Sequence, residues 1–173
     1  MRKVLIFIIC AFVLTLSSVS VLAQEDNQTN ESVNSFELFW PVVAGKSKGD
    51  TLYSLKLFKE KVRGFLIFGK PQKADYSLFL TTKRVLEAEK LSKEGKKDYS
   101  VQTFDMALSQ LAVVEKSIED SGDNMKSTVD DLNLKFDNLE VFLPWLVPQY
   151  KDQELTSKAQ QVLDKVVELH NKI

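Results

Sequence analysis

Met125, Val129, Leu132, Phe136, Leu139 and Leu143 recur at alternating steps of four and three residues. That spacing keeps six apolar side chains on one face of an α-helix and scatters them across both faces of a strand. The pattern returns in other segments. Leu52, Leu55, Phe58, Val62 and Phe65 follow Asp50, a candidate N-cap, and are expected to pack as a core-facing stripe. A helix from Pro71 to about Lys93 turns Ala74, Leu78, Val85 and Ala88 inward and stops at Gly95. Asp98 or Ser100 can cap the next, with Val101, Phe104, Leu108, Leu111 and Ile118 inward, Val114 covering for Glu115, and Ser121-Gly122 as its end. A last helix from about Gln153 carries Leu155, Ala159, Val162, Val166 and Leu169, after Pro144 and Pro148 interrupt the chain. No segment alternates apolar and polar residues between turn signals as a strand would. The expected fold is all-α, an antiparallel four- to five-helix bundle over residues 50–173. Leu91, Gly95, Ala107 and Leu111 sit near tetratricopeptide spacing, but no second copy occurs one period away.

The chain opens Met1-Arg2-Lys3, followed by the apolar run Val4 to Leu16 and the small-residue stretch SSVSVLA. Residues 1–23 therefore read as a secretory signal peptide, with Val21 and Ala23 before the cut, or as a retained membrane anchor. Either reading places the remainder outside the cytoplasm, secreted or tethered. Cys10, the single cysteine, lies in that run, so the exported part relies on an apolar core without disulfides. Residues 24–49 read as a flexible acidic spacer with an aromatic lead-in at Phe36, Phe39 and Trp40. Asn27 and Asn30 begin glycosylation sequons of the kind polar linkers produce readily.

Candidate chemistry is sparse. GFLIFGKP, Gly64 to Pro71, resembles a phosphate-binding loop up to its last position, where Pro71 replaces the hydroxyl residue that would hold Mg²⁺. Phe65, Leu66, Ile67 and Phe68 are too bulky for a loop whose N–H groups must converge on phosphate. The segment reads instead as a helix end: Phe65 to Phe68 as core anchors, Gly69 as a left-handed stop and Pro71 as the next start. His170, the only histidine, has no Glu-x-x-His partner for a metal site and no nucleophile to serve. Carboxylate pairs such as Glu87/Glu89 and Asp130/Asp131 do not face one another on a helix. No catalytic, cofactor-binding or metal-ligating residue is assigned, and no cofactor or small-molecule substrate is expected.

Charge is unevenly spread. Lys56 to Lys97 carries twelve Lys/Arg against five Asp/Glu, and Asp98 to Glu140 three against ten. Basic helices packed beside acidic ones would explain this, and so would an anionic partner such as a membrane surface. Lys56, Lys59, Arg63, Lys70 and Lys73 form the candidate face for such a partner, with Trp145 and Tyr150 of WLVPQY as a candidate apolar contact. An exported chain with a net charge of −1 is not expected to bind nucleic acid.

Asp50, Leu52, Tyr53, Leu55 and Lys56, then Pro71, Ala74, Arg84 and Glu87 to Leu91, make up a recurring pattern. Over Gly49 to Leu91 the chain resembles a family of uncharacterised exported helical proteins, a domain of unknown function, from candidate-phylum bacteria. It departs from the family at Thr51-Leu52, where a proline is often found, and at Gly69-Lys70, where the family has an acidic turn. The resemblance implies a helical bundle in a bacterial envelope and brings no catalytic residue. The expected role is a non-catalytic envelope module for protein–protein contact or scaffolding; the alternative is a lipid-binding bundle that uses its basic amphipathic hairpin.

Overall fold

The computed structural model describes residues 33–173, which belong to one compact unit, Ser32–Ile173. The signal-or-anchor segment, Cys10 and the sequons at Asn27 and Asn30 lie outside the described residues. Six α-helices follow: α1 (Ser35–Phe39), α2 (Tyr53–Phe65), α3 (Lys70–Lys93), α4 (Lys97–Glu119), α5 (Val129–Leu146) and α6 (Gln153–His170). A 3₁₀ stretch, Gly122–Ser127, joins α4 to α5, and a short one, Val147–Gln149, precedes α6. The described residues contain no strand.

α3 to α6 form the bundle, and their apolar stripes meet as the spacing predicts. Ala74, Leu78, Val85, Ala88, Phe104, Leu111, Phe136, Leu139, Leu143, Ala159, Val162, Val166 and Leu169 are all fully buried. Consecutive helices run antiparallel, while ion pairs hold α4 and α6 side by side in the same direction. Lys97 meets Asp152 at 2.8 Å, Asp105 meets Lys158 at 2.7 Å and Glu115 meets Lys165 at 2.8 Å. Two of the four carboxylates of α4, Asp105 and Glu115, are thus paired with lysines of α6. Lys70–Asp120 and Lys135–Asp75 link α3 to the end of α4 and to α5.

Helix ends differ from the sequence expectation at several points. α3 begins with Pro71 in its first turn, as expected, and α6 is capped by Asp152, whose carboxylate accepts from Glu154 N and Leu155 N. Asp50 does not cap α2; its side chain accepts from Ser47 N at 2.7 Å, three residues upstream. Neither Asp98 nor Ser100 caps α4, which starts at Lys97; the Ser100 hydroxyl is buried and donates to Ala88 O of α3 at 2.7 Å. α5 continues through Pro144 to Leu146, because a proline in the last turn removes only one backbone donor near the end.

Gly69 is not left-handed. It precedes α3 with φ −74° and ψ 135°, an extended conformation open to any residue, and α2 ends without a left-handed residue. Gly95, between α3 and α4, is the left-handed glycine of this region at φ 71°. Gly95→Ala should therefore lower stability by about 1–2 kcal/mol. Gly69→Ala should leave it nearly unchanged, since the added carbon meets only the movable end of Gln72. Chemical denaturation of both variants checks this pairing.

Candidate docking surface

α2 carries two stripes, and the polar one faces the protein. Tyr53 is buried, its hydroxyl donating to Met106 Sδ of α4 at 3.5 Å, and Lys56 and Glu60 are nearly buried against α3. Leu52, Leu55, Phe58, Val62, Phe65, Leu66 and Phe68 point outward, with Phe58 63 %, Phe65 79 % and Phe68 85 % exposed. The expectation that this stripe would pack into the core, with Phe65 to Phe68 as anchors, is overturned.

The reason lies on α3. Its apolar side is taken by the bundle, so the side left for α2 presents Tyr76, Lys83, Arg84 and Glu87. Glu87 is 0 % and Arg84 3 % exposed. Buried charges of this kind require charged, hydrogen-bonding partners, which a leucine–phenylalanine stripe cannot supply. The polar stripe can. Glu87 accepts from Arg84 Nη1 at 2.8 and 2.7 Å and from the Lys56 ammonium. Glu60 accepts from Lys83 at 2.8 Å and from Arg84 Nη2. Lys56 also donates to Ala44 O at 3.0 Å and Lys46 O at 2.7 Å, which ties the preceding loop to the helix pair. The Tyr76 hydroxyl donates to Glu60 O at 3.1 Å.

The electrostatics follow from burial. Burial pushes the Glu87 carboxyl above its ordinary value against the pull of Arg84 and Lys56. It also works against the Arg84 guanidinium, but Glu87 and Glu60 prevail and hold it above its usual value. Burial lowers the Lys56 ammonium, with Glu87 opposing, and raises the Tyr53 phenol to about 12.

The candidate cations divide. Lys56 is turned inward and paired with Glu87, and Lys70 is paired with Asp120 at 2.7 Å. Lys59, Lys73 and Arg63 are exposed, Arg63 lying 5.2 Å from the Tyr76 ring centre. Neither they nor the exposed Lys61 of the same basic stretch join an ion pair among the described residues. Trp145 and Tyr150 are partly buried against the core of the bundle. Trp145 packs 5.4 Å from Phe142, and Tyr150 sits edge-on to Phe104 at 6.0 Å. The Tyr150 hydroxyl is buried with no hydrogen-bond partner among the described residues.

Sequence reasoning missed the orientation of α2, although a signal was present. Tyr53, Lys56 and Glu60 are themselves helically spaced, and Arg84 and Glu87 stand three residues apart on α3, as one charged face of a helix requires. Periodicity reports that two stripes exist and leaves open which one meets the protein. Beside α2, Val43 lies next to Leu52 and Leu55 around a shallow cleft. Phe36 and Trp40 of the aromatic lead-in are also exposed, their rings 4.9 Å apart. Contiguous apolar exposure of this kind marks a contact surface. His170 lies elsewhere, its Nδ1 2.9 Å from Glu140 and its ring stacked on Phe136 at 5.2 Å.

Fold and surface together define a helical-bundle domain with a separate helix that shows its apolar side to the outside. The chain belongs to the family described as Domain of unknown function (DUF5667), which matches residues 46–173 and so takes in α2 to α6. Comparison with curated proteins gave no match, and comparison with solved structures gave none either.

Proposed function

We propose that this protein is a non-catalytic, extracytoplasmic docking module, secreted or tethered by its N-terminal segment, that works in the cell envelope through the outward face of α2. One observation carries the reading: Phe58 and Phe65, with Phe68 in the loop that follows, are held in water by a helix whose polar side is fixed to the bundle. Full burial of each would be worth about 1.5–3 kcal/mol, a contribution realised only when something covers them. The buried carboxylates Glu60 and Glu87 support a non-catalytic role, because both are held by cations within the fold. Export rests on the basic start and apolar run of residues 1–23.

The test is photo-crosslinking in cells that express the full chain. Benzoylphenylalanine at position 65 should give adducts, and the same group at Gln161, exposed on α6, should give none. No adduct at 65, or equal yields at both positions, would remove α2 from the function.

A further inference from the structure

The charge around the outward face of α2 says what covers it. From Thr51 to Ala74 the chain holds six Lys/Arg and one carboxylate, Glu60. Glu60 is turned inward, where Lys83 and Arg84 neutralise it. The outward side therefore carries cations and no acidic group of its own. Lys59 falls within the apolar stripe on the helical wheel, between Leu52 and Leu66, and Lys61 and Arg63 fall on its two margins; all are exposed, as is Lys73 at the start of α3. Their flexible stems can lie along an apolar layer while the charged ends stay in water.

The residue types favour lipid over protein. Protein interfaces are depleted in lysine and anchored by aromatic or arginine side chains set into pockets. Here Phe65 and Phe68 protrude from a helix end and the loop after it, Phe58 stands further back along the helix, and lysines surround them. A basic helix with phenylalanine and leucine on one side is the form that lies in the plane of an anionic bilayer. α2 has 13 residues, too few to cross one, and no described helix is long and apolar enough to do so.

Resting on the docking reading above, we propose that α2 and the loop through Phe68 bind the surface of an anionic phospholipid bilayer. Phe58, Phe65 and Phe68 enter the acyl boundary, and Lys59, Lys61, Arg63 and Lys73 meet the lipid phosphates.

The experiment uses the full chain carrying Phe65→Trp, reconstituted into vesicles of equimolar phosphatidylcholine and phosphatidylglycerol with brominated acyl chains. The emission of the introduced indole, taken over the background of Trp40 and Trp145, should be quenched by the bromine and shielded from aqueous iodide. In vesicles of phosphatidylcholine alone the quenching should be largely lost. The added substitutions K59Q, K61Q and K73Q should lower the equilibrium constant for the bilayer-bound state, read from the lipid concentration at half-maximal quenching, by about a hundredfold. Shielding from iodide without bromine quenching would mean that residues 4–23, a second copy or another protein surface covers the face. That result overturns the lipid assignment and leaves the docking reading standing. Exposure to iodide without bromine quenching also overturns the lipid assignment, and crosslinking at position 65 then decides the docking reading separately. Quenching that is equal in the two lipid mixtures contradicts the role given to the lysines.

Discussion

Glu87→Ala should destabilise the fold by about 3–5 kcal/mol, because it removes the only counter-charge of Lys56 and one of the two that hold the buried Arg84. Glu87 is fully buried and is the shared acceptor for Arg84 and Lys56, so its loss acts on both helices. Arg84 keeps Glu60, whereas Lys56 keeps only two backbone carbonyls. The loss should therefore be felt most at α2, whose amides should exchange with solvent faster than those of α3 to α6. Thermal or urea unfolding reads the first effect and hydrogen exchange the second. A combined replacement K56M, R84M and E87L removes the charges together and should recover most of the stability, as apolar replacement of buried ion networks often does. A melting curve for Glu87→Ala that overlays the parent would mean that the network does not hold α2.

Phe142→Ala should cost about 3–5 kcal/mol by opening a cavity in the core. Phe142 is fully buried, stands edge-on to Phe39 at 5.2 Å and lies 5.4 Å from Trp145. Phe39 is the only buried residue of α1, so the substitution should also loosen α1 from α5. Two readings check it: a lower unfolding midpoint, and Ser35–Phe39 amides that exchange at the rate of free peptide. Phe142→Leu keeps more of the volume and should recover part of the loss. A cost below about 1 kcal/mol would place Phe142 outside the densely packed interior.

The bundle was legible because its helices each bury one apolar stripe against another. The predicted inward residues of α6, Leu155 to Leu169, are all buried, and those of α3 are fully so. Val114 does cover for Glu115, which is left at the edge to pair with Lys165 and Lys172. The boundaries at Pro71, Lys93 and Gln153 also agree with the structure. Failures occur where a local rule met a tertiary demand. Ser100 has the chemistry of a cap, yet its hydroxyl is used between two helices. Gly69 follows a helix, yet serves the entry to the next one.

α2 is the largest departure and the one that bears on function. Its apolar periodicity is real, but Arg84 and Glu87 fill the seat on α3 with charge, so Lys56 and Glu60 take the inward position. Two of the five cations expected to face an anionic partner are consequently engaged elsewhere, Lys56 with Glu87 and Lys70 with Asp120. Lys59, Arg63 and Lys73 remain outward, and Lys61 joins them. Pairing of this kind depends on which helices meet, and composition along the chain does not report that.

The outward orientation of α2 is the claim on which the docking surface depends. Thermal and urea unfolding of F58S/F65S/F68S in the full chain tests it most directly. Side chains already in water contribute little to stability, so the variant should unfold within about 0.5 kcal/mol of the parent. A stripe buried against the bundle would instead lose the burial of three phenylalanines, roughly 5 kcal/mol or more. A loss of that size would contradict the account.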